Sequence, residues 1–353
     1  MLEARLVDPL DALHAERAAD DAFRVGLVVP QSGLLGLTGP SALDGALLAA
    51  HEVNVRGGVR DRPLDLVLVD GGGTPEAVTA VLRPLLAAGA LDALAGCHTS
   101  DVHRAVEALA TGRLAYVYTP PHEGGSRRPG VLCTGVDPVG QLALAVTMLT
   151  DRHRIRRWAL VGNDYIWPRS VHRAAARLVA AAGATVALER RVGFGGVRQR
   201  AGELVDALRA ARADAVLLSL VGRDLVEFNR VLRRSGLDRR LVRLSPALEE
   251  NGLLALGGDE TGLLYAAMPS FSTLAEEPRR RLGERHRALC GPSAPVLDAY
   301  AVGLYEGLHL LAELATREEG LTPHHLGRAA ADPLLRSAVH LARAEGPTFT
   351  VLS

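Results

Sequence analysis

The sequence predicts an α/β protein made of two successive lobes, and three observations carry that expectation. Short apolar runs bounded by Gly, Asp and Pro alternate with stretches of helical periodicity from Phe23 onward. The same rhythm starts again after "GVLCTGVDPVG" (130–140). A chain of 353 residues is also longer than one simple core ordinarily serves.

The elements follow in order. In "MLEARLVDPLDALHAERAADDAF" charge recurs every few residues, and Asp8-Pro9 ahead of Leu10 and Leu13 reads as a short capped helix. "FRVGLVVP" is a strand, and Leu43, Leu47 and Ala50 mark the inner face of the helix after it. "LDLVLVD" is the next strand; its helix has Thr74 as N-cap, Pro75 in the first position and Gly89 as its stop. "ALDALAGC", the helix "SDVHRAVEALATG" and the strand "RLAYVYTP" complete the block, in which apolar runs suit parallel strands covered on both faces. In the second block "RRWALVG", "ATVALERRV", "ADAVLLSL" and "RLVRLSP" alternate with three amphipathic helices. "GLLYAAMPSF" then reads as a crossing back to the first lobe, which "PVLDAYAVGLYEGLHLLAELA" covers, and the tail from Arg336 reads as a hairpin. The expected organisation is an N-terminal extension at 1–22, lobe 1 at 23–136 plus 266–333, and lobe 2 at 137–265 plus 334–353. No Ser/Gly-rich linker separates the halves, so several tight crossings are expected.

Composition excludes several function classes. Basic and acidic residues balance at 40 each, every basic residue is Arg, and the Arg doublets are scattered among acids, so no nucleic-acid footprint is present. No apolar run approaches membrane-spanning length, so no membrane insertion is expected. Cys97, Cys133 and Cys290 form an odd, sparse set without a C-x-x-C pair, which fits a reducing compartment. The first residues do not read as a secretory signal, so a cytoplasmic location is expected; an upstream leader would make the protein an exported one.

Three chemistries have partial signals in the residues. Gly33, Gly36 and Gly39 precede the first long helix and Asp70 ends the second strand, as in a dinucleotide site. The spacing is G-x-x-G-x-x-G, however, and Leu35 stands where pyrophosphate needs a glycine, so the segment reads as a rim loop capped by Asp70 and NAD is not expected. In "GCHTS" (96–100), Cys97 and His98 point to opposite faces of a strand end and cannot pair, and no G-x-S-x-G elbow occurs. Ser100 reads either as a helix N-cap or as a ligand contact beside free backbone N–H groups. Histidines are dispersed and no H-E-x-x-H or cysteine cluster is present, so no metal and no cofactor are expected. Two strand ends carry polar and aromatic residues: "AYVYTPPHEGG" (115–125) and "LVGNDYIWPRS" (160–170). Such ends are where open parallel sheets bind ligands.

Taken together, "GALLAAHEVNVRGGVRDRPLDLVLVDGGGTP", "LAGCHTSDVHRAV", "YTPPHEGG", "LVGNDYIWPRS", "ARADAVLLSLVGRDLVEFNR" and "SPALEEN" resemble the type I periplasmic-binding-protein superfamily. The likeness is to its amide, urea and branched-chain amino acid group, nearest to the amide sensors and urea-transporter binding proteins. The resemblance implies two Rossmann-like lobes joined by three crossings, a Venus-flytrap that closes on a ligand without catalysing a reaction. It also implies site residues. His98, Ser100, Tyr118 and Pro120 would line the first lobe, with Pro120 where many relatives carry Thr. Tyr165 and Val221 would cover the ligand from the second, and Glu249 (or its neighbour Glu250) would meet an amino group. Trp167 and Pro168 would fix the loop around Tyr165.

The expected function is therefore a non-enzymatic receptor for a short amide, urea or related polar ligand, acting as a cytoplasmic sensor. The alternative is the binding component of an ABC importer for such ligands or amino acids, and an NAD-dependent or hydrolytic enzyme stands third. The expected partners are the small ligand and a regulatory protein, with self-association left open.

Overall fold

The computed structural model describes residues 4–15, 22–331 and 338–352. The chain divides into two compact units: unit 1 comprises 1–120, 125–135 and 281–337, and unit 2 comprises 121–124, 136–280 and 338–353. The expected boundary at 333/334 lies outside the described residues.

Unit 1 is built from β1 (Leu6–Val7), α1 (Pro9–His14), β2 (Phe23–Val29), α2 (Gly39–Val55), β3 (Leu64–Asp70), α3 (Pro75–Ala87), β4 (Ala93–Gly96), α4 (Ser100–Ala110), β5 (Ala115–Tyr118) and β6 (Val131–Cys133). Its six strands form one parallel sheet in the order β1-β3-β2-β4-β5-β6. The segment read as an N-terminal extension supplies β1 to this sheet, on the edge of β3, and Asp8 caps α1 as expected. Strand parity sorts the core onto two faces: Val25, Leu27 and Val29 of β2 join one cluster, whereas Val28 joins the other. Apolar side chains on both faces explain why these strands read as continuous apolar runs.

Unit 2 holds α5 (Pro138–Arg152), β7 (Arg157–Asn163), α6 (Ile166–Ala181), β8 (Thr185–Val192), α7 (Val197–Ala210), β9 (Ala215–Ser219), α8 (Gly222–Arg234), β10 (Val242–Ser245), α9 (Glu250–Leu256) and β11 (Leu264–Met268). The chain then adds α10 (Glu277–Cys290), α11 (Ala299–Thr316) and α12 (Pro323–Ala331), and ends in the hairpin β12 (His340–Glu345) and β13 (Thr348–Val351). The second sheet runs β13-β12-β11-β10-β9-β7-β8; β7 to β11 are parallel and the terminal hairpin is antiparallel to them.

One expectation is corrected here. The run "GLLYAAMPSF" is no crossing back to lobe 1: it contains β11, paired with β10 and β12 inside the second sheet, and residues 266–280 belong to unit 2. An apolar run announces a buried strand but not which sheet receives it. The long apolar helix α11 does cover unit 1, where Leu304, Leu308 and Leu311 pack with the β2 residues. It lies so close to α2 that a Cβ on Gly45 would sit 2.5 Å from the Ala301 carbonyl oxygen. Among the described residues no helix is long and apolar enough to cross a membrane.

Candidate functional site

Several helices of the two sheets start without a side-chain cap at the carboxyl end of a strand. Where a helix follows a strand directly, a side chain usually accepts the orphan N–H groups of its first turn. Thr74 does so for α3, Asp137 for α5 and Glu249 for α9. The helices after β4, β7 and β9 have no such cap, and neither do α2 and α7: their N-cap residues are Thr99, Tyr165, Val221, Thr38 and Gly196, and none makes a side-chain capping bond. Each of the first three therefore leaves backbone donors, and the positive end of its dipole, at the carboxyl end of its strand.

At α4 the arrangement is sharpest. Thr99, not Ser100, is the N-cap residue, so Ser100 is the first helical residue and its hydroxyl is not used in capping. Ser100 is 1% exposed, and its Oγ has no hydrogen-bond partner. Asp101, in the same turn, also keeps Oδ1 buried without a partner. An unmade hydrogen bond at a buried group costs about 1–3 kcal/mol, so such a pair marks a place where a ligand can repay the deficit.

His98 and Tyr118, expected at the ligand-facing wall of the first lobe, are buried. On β5, Tyr116 and Tyr118 share a face and join the cluster formed with α3 and α4. The Tyr118 hydroxyl donates to the His98 carbonyl at 2.7 Å, and its ring stacks on His103 with centroids 4.0 Å apart. His98 Nδ1 is 3.2 Å from the Thr99 carbonyl and Nε2 is 3.0 Å from the Tyr116 hydroxyl. One proton assignment satisfies all of these contacts: Nδ1–H donates to Thr99, Tyr116 donates to Nε2, and His103 Nδ1–H, 3.2 Å away, donates to the Tyr116 oxygen. Burial pushes the His98 pKa down to about 4, against a smaller opposing effect of its bond to Thr99, so the ring is neutral. These residues hold the Thr99–Ser100 corner from beneath. Pro120 is buried at the end of the same strand segment.

In unit 2 the rings of "NDYIWPRS" pack with one another and with Phe194. Tyr165 is 8% exposed and packs against Trp167 and Phe194, with centroids 6.5 and 5.0 Å away. Ser170 Oγ donates to the Glu123 carbonyl at 2.7 Å, tying "PPHEGG" to the first turns of α6. Trp167 was expected only to fix the loop, yet its buried Nε1 has no hydrogen-bond partner, a second donor that sequence reasoning missed. Asn163 organises the neighbouring helix start. It accepts from Val221 N at 3.0 Å and donates to Asp224 at 2.7 Å, so the Val221 N–H is already spent.

Glu249, expected to meet an amino group, caps α9 with its carboxylate. It is 2% exposed, and its two oxygens accept from Asn251 N and Gly252 N at the start of α9. Its neighbour Glu250 accepts from Ser272 N. Glu is not a preferred N-cap residue, so this role had no signal in the sequence.

The fold also assembles a nucleophile–base pair that the sequence hides. His172 Nε2 lies 2.9 Å from Ser219 Oγ, and His172 Nδ1 lies 3.1 Å from Glu189 Oε1. These distances match a catalytic triad, but Ser219 is fully buried, and a Cβ on Gly162 would lie 2.2 Å from its Oγ. The hydroxyl is enclosed by its neighbours, and the trio ties α6, β8 and β9 together. The glycine loop is likewise structural: Asp70 Oδ1 accepts from Gln31 N and Gly72 N, each at 2.8 Å. Burial raises the Asp70 pKa, but bonds from Ser32, Gly72 and Gln31 outweigh it and hold the carboxyl below its usual range.

Solved structures with the same fold cover nearly the whole chain. A fatty acid ABC transporter substrate-binding protein from Thermomonospora curvata is 18% identical with a TM-score of 0.80, over 95% of this chain and 92% of that one. An amino acid ABC transporter substrate-binding protein from Pseudomonas fluorescens Pf-5 is 16% identical with a TM-score of 0.78, over 96% of each. A solute-binding protein of an ABC transporter from Rhodopseudomonas palustris HaA2, in complex with p-hydroxybenzoic acid, is 16% identical with a TM-score of 0.80, over 94% of this chain and 95% of that one. Residues 22–334 match the family described as periplasmic binding protein, and the chain belongs to that family.

Proposed function

We propose that the chain is the solute-binding component of an ABC-type importer and that it takes a small organic acid through its carboxylate at the start of α4. The observation that carries this reading is the buried, unpartnered Ser100 hydroxyl at a helix N-terminus without a side-chain cap. A carboxylate answers both features, accepting from the hydroxyl and from backbone N–H groups while sitting at the positive end of the dipole. Asp101 Oδ1, an orphan acceptor in the same turn, favours an acid that also carries a donor, such as a hydroxyl. Glu249, already capping α9, gives an α-amino group little to find.

This reading replaces the expected cytoplasmic amide sensor, which the comparisons do not support; the named relatives are transport proteins, and the ligands they are named for are acids. As an importer component the protein would work outside the cytoplasmic membrane and would bind without catalysis. The experiment is thermal-shift screening of the purified chain against hydroxybenzoic acids, short fatty acids, amino acids, short amides and urea. A ligand at about a hundredfold its Kd adds ~2.7 kcal/mol to the native state. Stabilisation by the simple acids is the expected result; stabilisation by amides or urea alone would overturn the carboxylate reading.

A further inference from the structure

We propose that unit 1 carries a binding site for a zinc-class divalent cation, formed by Asp44 of α2 with His286 and Cys290 of α10. His286 and Cys290 are four residues apart on one helix, so their side chains lie one above the other on the same face. Asp44 comes from a helix more than two hundred residues earlier, so only the fold brings the third donor in.

The geometry suits a metal. His286 Nε2 is 3.2 Å from Asp44 Oδ2, and the three donor atoms all lie within 4.8 Å of one another. Tetrahedral zinc, with bonds of about 2.0–2.3 Å, sets its ligands roughly 3.3–3.8 Å apart, so small side-chain rotations close the site. The donor set decides the class of ion. A thiolate and an imidazole beside one carboxylate suit zinc and its neighbours, whereas calcium and magnesium call for oxygen ligands. His286 is 3% exposed while Asp44 and Cys290 are half-buried, which leaves the fourth coordination position on the solvent side.

The platform under the site is firm. One turn along each helix, Leu48 and Leu282 pack together with Leu297, Ala301 and Val302. Another turn along α2, Glu52 pairs with Arg285 at 2.7 Å. A bound ion would therefore clamp the end of α10 onto α2. The competing arrangement is a hydrogen-bonded trio in which Asp44 accepts from His286 and from the Cys290 thiol. The two differ in whether Cys290 becomes a metal thiolate.

Cobalt reads that difference directly. Metal-free, fully reduced protein is titrated with Co²⁺ and followed for the near-ultraviolet thiolate-to-cobalt charge-transfer band, then challenged with Zn²⁺. The expected result is a band that saturates at one equivalent and is displaced by zinc. The band disappears in Cys290→Ser, persists in Cys133→Ser, and needs at least tenfold more cobalt in Asp44→Asn. Zinc raises the melting temperature of the unaltered chain but not that of Cys290→Ser. Absence of the band, or its survival in a folded Cys290→Ser protein, overturns the proposal. Should circular dichroism show Cys290→Ser to be unfolded, unchanged cobalt affinity in Asp44→Asn overturns it equally.

Discussion

Lowering the pH should destabilise the protein through His98 well before the carboxylates titrate. An unfolded histidine takes up its proton near pH 6.5, whereas the buried ring in the native state does so only at about 4. Between those values the unfolded chain holds one proton that the native chain does not, so stability falls as pH drops through the window and is flat above it. The difference of about 2.5 units corresponds to roughly 3 kcal/mol, with a mid-window slope near 1.4 kcal/mol per pH unit. The assay is guanidinium unfolding followed by circular dichroism from pH 7.5 to 4.5, on the unaltered chain and on His98→Gln. Burial likewise lowers the pKa of His153, His172 and His309, and these groups contribute equally to both proteins. The variant starts less stable, having lost the bond from Tyr116, but its stability should fall less steeply with acid. Equal slopes, or a His98 ring resonance titrating near 6.5, would refute the neutral-core account of this residue.

Other perturbations follow from the same contacts. Gly162→Ala should cost about 1–3 kcal/mol by forcing a Cβ against Ser219 Oγ, and adding Ser219→Ala should recover part of it; calorimetry of the single and double variants checks this. Asp259→Ala strands Arg243, which is 1% exposed and 2.9 Å from the Asp259 carboxylate, and should lose about 3–5 kcal/mol by denaturant unfolding.

Much of the architecture was legible because local rules and the fold agree. Thr74, Pro75 and Gly89 bracket α3 as their chemistry requires, and the continuous apolar run of β2 is buried on both faces. The candidate site was legible where a strand end meets a helix start: Ser100 drew notice there, and the N-cap position fell to its neighbour Thr99, leaving the Ser100 hydroxyl without a partner. The packing of Tyr118 beside Tyr116 follows from strand parity, which its place at the end of a strand obscured in the sequence. The capping role of Glu249 was hidden because a carboxylate at a strand end looks the same in sequence whether it caps a helix or meets an ammonium. The Ser219–His172–Glu189 trio and the Asp44–His286–Cys290 cluster were invisible, since each gathers residues far apart in the chain.

The central claim is that a carboxylate binds at Ser100. It is tested most directly by isothermal titration of the tightest acid from the screen against its own primary amide, on the unaltered chain and on Ser100→Ala. A hydrogen bond from a hydroxyl to a charged group is worth about 1.5–3 kcal/mol, or roughly tenfold to a hundredfold in Kd. The account predicts that the acid binds at least tenfold tighter than the amide and that Ser100→Ala removes most of that preference. Equal affinity for acid and amide, or an acid Kd unchanged in Ser100→Ala, would contradict it.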